Sequence, residues 1–399
     1  MVKPIEDLEM PVPCEAMMDS HTHFEKFFRS FSAGKFGTFD GNIQVSTLPH
    51  SRNFMEGLAF GSDRFLLQIP YAGDCLEWHV LFDNQEPESP PQFIFNRSSD
   101  DRYERLDSGF LEDFSVDQLE EILPSLANWD SDNEDALAEV IQELLIAFRR
   151  YQLEKLEEIS GDLLSVQFKI RQLLEAQNIS EDDLELLVRS DDVTLLVRLA
   201  VDISKVPELL LPPIERGRLE ILASVLLTLG NNGQSSKLNL SPRMLLILGN
   251  SDRDLKVLFN SRTNLSNYVD AMRKALNEKV KMIVGGVNHR KNFLTALVVL
   301  MGRALVEHDT KKYTKSTFLL EWNNFYFLVH CCLPPSFPDR QPIYLFQSIY
   351  HNVKQRPFTS KCSDYPYDPN WSYTEMAEKA QSFILEYVKN FQKDSVRAS

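Results

Sequence analysis

Residues 63–95 read DRFLLQIPYAGDCLEWHVLFDNQEPESPPQFIF, and this stretch decides the fold. Over residues 64–70, Phe65, Leu67 and Ile69 alternate with Leu66 and Gln68. Over residues 77–83, Trp78, Val80 and Phe82 alternate with His79 and Leu81. Successive side chains of a strand point to opposite faces, so alternation over runs this short predicts half-buried strands. Tyr71-Ala72-Gly73-Asp74 between them is turn chemistry. Pro87, Pro90 and Pro91 then precede Phe93-Ile94-Phe95. Proline brings no ladder donor, so this run is expected in an ordered loop or at the start of a strand. The expectation is an antiparallel meander whose last strand is entered through a stiff proline loop.

The device occurs twice. Residues 338–346, PDRQPIYLF, repeat residues 87–95, PESPPQFIF, at a fixed offset of 338 − 87 = 251. Pro87 matches Pro338, Pro91 matches Pro342, Phe93 matches Tyr344 and Phe95 matches Phe346. Upstream, Leu81-Phe82 is echoed by the apolar run Phe325-Tyr326-Phe327-Leu328-Val329. Downstream come Asn128-Trp129 and Asn370-Trp371, each followed by a capping-box pattern, Ser131 with Glu134 and Ser372 with Glu375. In such a box the serine accepts from the N3 amide while the glutamate reaches back, so each predicts a helix start. Two matched ends of one pattern indicate a duplicated domain.

At 399 residues the chain has room for two to four domains with cores of their own. Its 43% hydrophobic and 25% charged residues are ordinary for a globular protein. A formal net charge of −16 argues against sequence-independent nucleic-acid binding, which needs a basic face, and against docking on anionic membranes. Its apolar runs fall short of the roughly 18 residues of a membrane span. The start, MVKPIEDLEMPVP, is acidic and lacks the apolar core of a signal peptide. Cys14, Cys75, Cys331, Cys332 and Cys362 form no C-x-x-C pair, so a reduced, intracellular protein is expected.

Along the chain, Phe24, Phe27, Phe28 and Phe31 fall on one helical stripe within residues 17–32. A glycine-rich turn over 34–41 leads to a first strand over 42–48. Residues 96–117 are polar and acidic, a long loop, and residues 136–151 form a helix with Leu137, Val140, Ile141, Leu144, Leu145 and Phe148 on one face. The middle holds a helix over 153–176 and alternating strands over 193–201 and 219–229. Ser241-Pro242 with a short strand follows, then a helix over about 266–284. Gly285-Gly286 is expected to break the chain before an opening helix over 291–306. The expected class is therefore α+β, with three meander-and-helix domains at 1–152, 153–286 and 287–399, the middle one diverged.

His21-Thr22-His23 is similar to part of the H-[ST]-H-x7-S-x2-D motif of JAMM metallo-deubiquitinases. Phe31 and Gly34 stand where its serine and aspartate belong, so the third zinc ligand is missing and the pair reads as polar residues of the phenylalanine-faced helix. No metal site and no cofactor is expected. Cys331-Cys332 ends an apolar strand, where one thiol must point inward and pack as a small hydrophobe.

The order helix, meander, proline-led strand, long loop, tryptophan, helix resembles the ubiquitin-conjugating-enzyme fold. In active members His-Pro-Asn follows that strand and a nucleophilic cysteine lies about eight residues on, the asparagine stabilising the oxyanion. The first copy has Asn96-Arg97-Ser98 there and no nearby cysteine. The second has Tyr350-His351-Asn352 and then Cys362, with the proline lost and the spacing longer. His351, Asn352 and Cys362 therefore read as a vestigial active-site region, and no catalytic residue is expected.

Further stretches, among them DRFLLQIPYAG, Leu240-Ser241-Pro242-Arg243, FQSIYH over 346–351 and YPYDPNW over 365–371, resemble the BRE family (brain and reproductive organ-expressed) from about residue 60 to the C-terminus. The resemblance implies tandem ubiquitin-conjugating-enzyme-variant (UEV) domains in a non-catalytic scaffold. That scaffold would belong to a deubiquitinase complex specific for lysine-sixty-three-linked chains: cytoplasmic BRISC and, where present, nuclear BRCA-A. The implied partners are a JAMM metallo-deubiquitinase with its MPN-domain pseudoenzyme, a von Willebrand-A-domain subunit, and polyubiquitin. UEV domains hold proline-containing peptides against aromatic walls, and Tyr350, Tyr365, Pro366, Tyr367 and Trp371 offer such walls. The other reading of these residues, a loop packed onto its own core, stays open. So do a stand-alone ubiquitin receptor and a conjugating enzyme using Cys362.

Overall fold

The computed structural model describes residues 24–32, 38, 40–47, 62–83, 85–95, 110–111, 116–176, 179–211, 221–231, 233–249, 257–259, 263–362 and 365–398. His21 and His23, and most of the loop expected over 96–117, lie outside them.

The alternating stretch folds as its pattern predicts, with longer strands. A 3-10 turn, Glu25–Phe28, continues into α1 (Arg29–Ser32). Then β1 (Gln44–Thr47), β2 (Ser62–Tyr71), β3 (Asp74–Asp83) and β4 (Gln92–Ile94) make an antiparallel meander in that order. Ala72 (φ 48°) and Gly73 (φ 84°) form the tip between β2 and β3. A two-residue tip with both φ positive matches the right-handed strand twist. Phe65, Leu67, Ile69, Trp78, Val80 and Phe82 are all buried. His79 and Leu81 are buried too, so β3 is covered on both faces rather than half-buried. Residue alternation carries no record of what packs on the second face.

Phe24, Phe27, Phe28 and Phe31 turn inward as their spacing demands, Phe24 stacking on Phe82 at 4.4 Å and Phe28 meeting Phe65 at 4.3 Å. After α2 (Val116–Ile122) and α3 (Pro124–Ala127), α4 (Ala136–Glu157) lays Leu137, Val140, Ile141, Leu144 and Phe148 into the same core. The box expected from Ser131 and Glu134 does not form. Helix α4 starts behind Asp135, whose side chain makes no cap hydrogen bond. The Asp132 amide donates to the Asp130 carboxylate (2.9 Å), the Asp135 amide donates to the Asn133 side chain (3.0 Å), and Glu134 pairs with Arg29 at 3.5 Å. Local side-chain-to-backbone turns compete with the helix here and delay its start.

The helix expected over 153–176 is split. Helix α4 ends at Glu157, Gly161 takes φ 72°, and α5 (Leu164–Leu174) starts afresh. A second antiparallel sheet follows in the order β5 (Leu184–Val188), β6 (Asp192–Arg198), β7 (Ala223–Gly230), β8 (Gly233–Leu240). β5 and β8 were not anticipated, the first being continuously apolar but for one glutamate and the second mostly polar. The segment after Ser241 is a helix, α6 (Pro242–Leu248), not a strand. Ser241 accepts from the Met244 amide at 3.1 Å, Pro242 occupies the first turn, and Gly249 at φ 68° closes the end.

The first two sheets share one core, to which Leu187, Leu196 and Leu226 of the second sheet belong. The hairpin tip is the contact point. The Ala72 amide donates to the buried Glu185 carboxylate at 3.0 Å, and Arg189 reaches Asp74 at 2.6 Å.

Helix α7 (Leu265–Met301) runs unbroken through Gly285-Gly286, where a chain break was expected. Each glycine costs an α-helix only about 1 kcal/mol, which the buried stripe of Leu276, Val280, Val287, Phe293 and Leu297 offsets. A Cβ at Gly286 would lie 3.3 Å from Arg290 Nη1 and 3.4 Å from the Pro335 carbonyl, a tight but not forbidden fit. The last sheet has the order β13-β12-β11-β10-β9: β9 (Leu305–His308), β10 (Lys315–Trp322), β11 (Phe325–Cys332), β12 (Ile343–Val353) and β13 (Arg356–Cys362), closed by α8 (Tyr373–Ala398). The β10–β11 tip is Asn323 (φ 48°) and Asn324 (φ 63°). Since 323 − 72 and 324 − 73 both equal 251, the offset of the proline device also relates the two hairpin tips.

The fold is thus mixed α+β, with three antiparallel sheets among the described residues. It divides into two compact units, Met1–Leu199 with Ile214–Asn239 and Phe259–Val269, and Ala200–Pro213 with Leu240–Leu258 and Asp270–Ser399. The boundaries drawn from sequence at 152/153 and 286/287 fall inside α4 and α7.

Candidate functional site

The residues singled out by sequence lie on β12, β13 and the chain that follows. Tyr344 and Phe346 of β12 point into the core against Phe327, Val329 and, from α8, Ile384, Val388 and Phe391. After Cys362 the chain comes back at Tyr365, which is buried with its ring 5.3 Å from Tyr344 and 5.1 Å from Phe383. Burial pushes its phenol well above the usual range. Tyr367 donates its hydroxyl to the Pro338 carbonyl at 2.5 Å, and burial, then Asp339 and Asp368, push it up to about 12. Trp371 is half-buried and Pro366 exposed. Tyr365 and Tyr367 have their rings 6.0 Å apart and, with Trp371, pack on the last core, an aromatic shelf with Pro366 exposed between the two tyrosines.

Tyr350 does not join it. It lies six residues along β12 from Tyr344, about 20 Å at strand rise, and is half-exposed with its ring 5.5 Å from Phe325.

The His351, Asn352 and Cys362 constellation is likewise drawn out. Residues 343–353 are all strand and turn back through Lys354 (φ 50°) and Gln355 (φ 64°) into β13. Asn352 faces Pro357 across the hairpin, while Cys362 faces Tyr344. Eight residues of β12 separate those two rungs, on the order of 25 Å. Oxyanion donors work at about 3 Å, so Asn352 cannot serve a thioester on Cys362 in this arrangement. His351 is engaged elsewhere, its Nδ1 3.0 Å from the Ser395 hydroxyl of α8 and its ring stacked on Phe325. At the other thiol pair, Cys331 is buried, its pKa pushed up by desolvation, and Cys332 is half-exposed, as a strand-ending pair requires. Among the described residues no group of His, Cys, Asp and Glu is placed to hold a metal ion, and no helix is long and apolar enough to cross a membrane.

One constellation escaped the sequence reading. On the outer side of the last sheet, His330 Nδ1 lies 2.9 Å from the Thr317 hydroxyl and its Nε2 3.1 Å from the Gln347 side chain. Thr317 also donates to Glu307 at 3.0 Å, so the chain of contacts crosses β9, β10, β11 and β12. Leu319, Tyr326 and Ile349 are exposed on the same sheet. The signal was present in the repeat: 330 − 79 = 251, so His330 is the counterpart of the buried His79.

The sequence model of the brain and reproductive organ-expressed protein (BRE) family matches residues 21–352, beginning well upstream of residue 60. A Branchiostoma floridae protein named "BRISC and BRCA1-A complex member 2" is 31% identical over 376 residues, which is 92% of this chain and 93% of that one. A Danio rerio protein of the same name is 34% identical over 341 residues, 83% of each.

Proposed function

This chain belongs to the brain and reproductive organ-expressed (BRE) family, and we propose that it is a non-catalytic scaffold subunit of a deubiquitinase complex of the BRISC and BRCA1-A kind. The carrying observation is that relatives named as members of those complexes align with most of its length. In this reading the chain joins a JAMM metallo-deubiquitinase and its MPN-domain pseudoenzyme to a von Willebrand-A-domain subunit. The complex acts on lysine-sixty-three-linked ubiquitin chains in cytoplasm and nucleus. The proline-led sheets at offset 251 are copies of a UEV-like domain within residues 1–152 and 287–399, with a diverged copy over 153–286. The rung-to-rung separation of Asn352 and Cys362 supports a chain that works through its surfaces. The shelf of Tyr365, Pro366, Tyr367 and Trp371 is the place proposed for the tail of the von Willebrand-A-domain subunit. Its exposed rim is built on buried rings and would need little reordering to bind.

Co-expression of the four subunits followed by mass photometry tests the scaffold. Leaving out this chain is expected to separate protease from von Willebrand-A-domain subunit, and an intact assembly without it overturns the reading. A thioester assay with wild type and Cys362→Ser is expected to give no DTT-sensitive ubiquitin adduct on either. For the shelf, Tyr367→Ala with Trp371→Ala should abolish pull-down of the von Willebrand-A-domain subunit from a folded chain.

A further inference from the structure

Each strand of the last sheet turns alternate residues away from its core, and the pairing sorts these into rows across the outer face. Thr317, His330 and Leu345 make one row, flanked by Glu307 and Lys361, and Leu319, Leu328 and Gln347 make the next. Lys315, Cys332 and Ile343 stand at one end of the face, Glu321 and Tyr326 at the other. Leu319 and Tyr326 are 40% exposed and Ile349 51%, while Leu328, Leu345, Cys332 and Ile343 are half-buried. The face lies wholly within one compact unit. Apolar residues gathered on one sheet face differ from the scattered singles of an ordinary surface and mark a place where something docks. The first sheet is covered at the matching positions: by the offset of 251 His330 answers to His79 and Cys332 to Leu81, and both of those are buried. The polar centre does not oppose burial, because His330 is already bonded to Thr317 and Gln347 within the sheet.

We propose that this outer face is a homodimer interface, on which a second copy of the chain stacks the same face about a twofold axis running across the strands. The charges name the occupant. Lys315 and Glu321 are exposed on the same side of β10, six residues and about 20 Å apart, with Thr317 and Leu319 between them. A twofold axis between the two middle rows lays β10 on β10 in antiparallel sense, so that Lys315 of each copy meets Glu321 of the other. Both ends of the contact then carry an opposite-charge pair. The same axis sets Tyr326 against Cys332 and Leu328 over His330. An isologous contact needs this self-complementarity, and two sheet faces stack with their strands about 30° apart. Within one copy Lys315 has Glu307 at 3.5 Å and Glu321 accepts from the Tyr326 hydroxyl, surface contacts that water weakens and that leave both groups able to take a further partner. A face five strands wide and about 20 Å long is at the small end of stable interfaces, so micromolar association is expected. The interface lies apart from the aromatic shelf and does not depend on which complex the chain joins.

Sedimentation velocity of the full-length chain over a micromolar concentration series reads the association, and a reversible monomer–dimer equilibrium is expected. Tyr326→Arg should weaken it roughly tenfold or more, and so should Lys315→Glu or Glu321→Lys alone, each of which sets like charges together at both ends. Lys315→Glu combined with Glu321→Lys should bring association back to near the wild-type value, because reversing both members rebuilds both pairs. All three positions are exposed, so these variants test the face and not the folding of the chain. A monomer at every concentration, a dimer indifferent to these changes, or a double reversal as weak as the single ones overturns the proposal.

Discussion

Gly73 shows how much one position can carry. It sits at φ 84°, a region L side chains rarely adopt, and a Cβ there would come within 2.8 Å of Leu226 in the second sheet. Gly73→Ala is expected to cost at least about 1–3 kcal/mol in backbone strain, read as a lower denaturation midpoint. An unchanged midpoint would show that the hairpin tip is not pinned. Asp309 carries a different load. Burial works against its charge, yet the Thr314 hydroxyl and the amides of Lys311, Lys312 and Thr314 all donate to it and hold its pKa at about 2, below the usual 3.8. A depressed folded pKa contributes stability that is fully present above 3.8 and lost as pH falls toward 2. Asp309→Asn should therefore flatten the stability curve across that window. Parallel curves for wild type and variant would refute the assignment.

Elements add a second lesson, because the same local motif can have two fates. At Ser372 the box is complete: the Ser372 amide donates to Glu375 at 2.9 Å and the Glu375 amide donates to the Ser372 hydroxyl at 3.3 Å, opening α8. At Ser131 the surrounding Asp130 and Asn133 turns take the amides instead. Ser372→Ala should cost about 0.5–2 kcal/mol, whereas Ser131→Ala should stay within about 0.5 kcal/mol. Thermal melts of the two variants decide it, and equal losses would contradict the geometry. Gly285 makes the converse case. It lies inside α7 with nothing among the described residues within 4 Å of its missing Cβ, so Gly285→Ala should stabilise by roughly 0.5–1 kcal/mol, where a true chain break would gain nothing.

At the scale of the molecule, the first two sheets are bound together by a common core. Leu196 belongs to β6 but is fully buried in the cluster that holds Trp78, Val80 and Phe148. Leu196→Ala is expected to cost about 2–5 kcal/mol and to speed amide exchange in β2 and β3 as well as in β6 and β7. Acceleration confined to β6 and β7 would mean that the sheets open separately. This joining was illegible beforehand, because the residues that make it (Leu187, Leu196, Leu226 and Glu185) look like ordinary strand residues. The aromatic shelf was half legible: the density of rings around Tyr365 and Trp371 marked it, but nothing in the order of residues separated Tyr350 from it.

Sequence alone determined the antiparallel meander, the burial of the phenylalanine stripe and of α4, the recurrence of the proline device at offset 251, and the family. These follow from spacing and residue type, which are local quantities a chain carries before it folds. Tertiary structure decided the rest. The strand span of 343–353 and its turn at Lys354-Gln355 set Asn352 and Cys362 on distant rungs, since register depends on which strands pair and not on separation along the chain. It decided too that α7 passes through two glycines and that β5 and β8 exist, because burial against distant residues outweighs the small local preferences that argued otherwise.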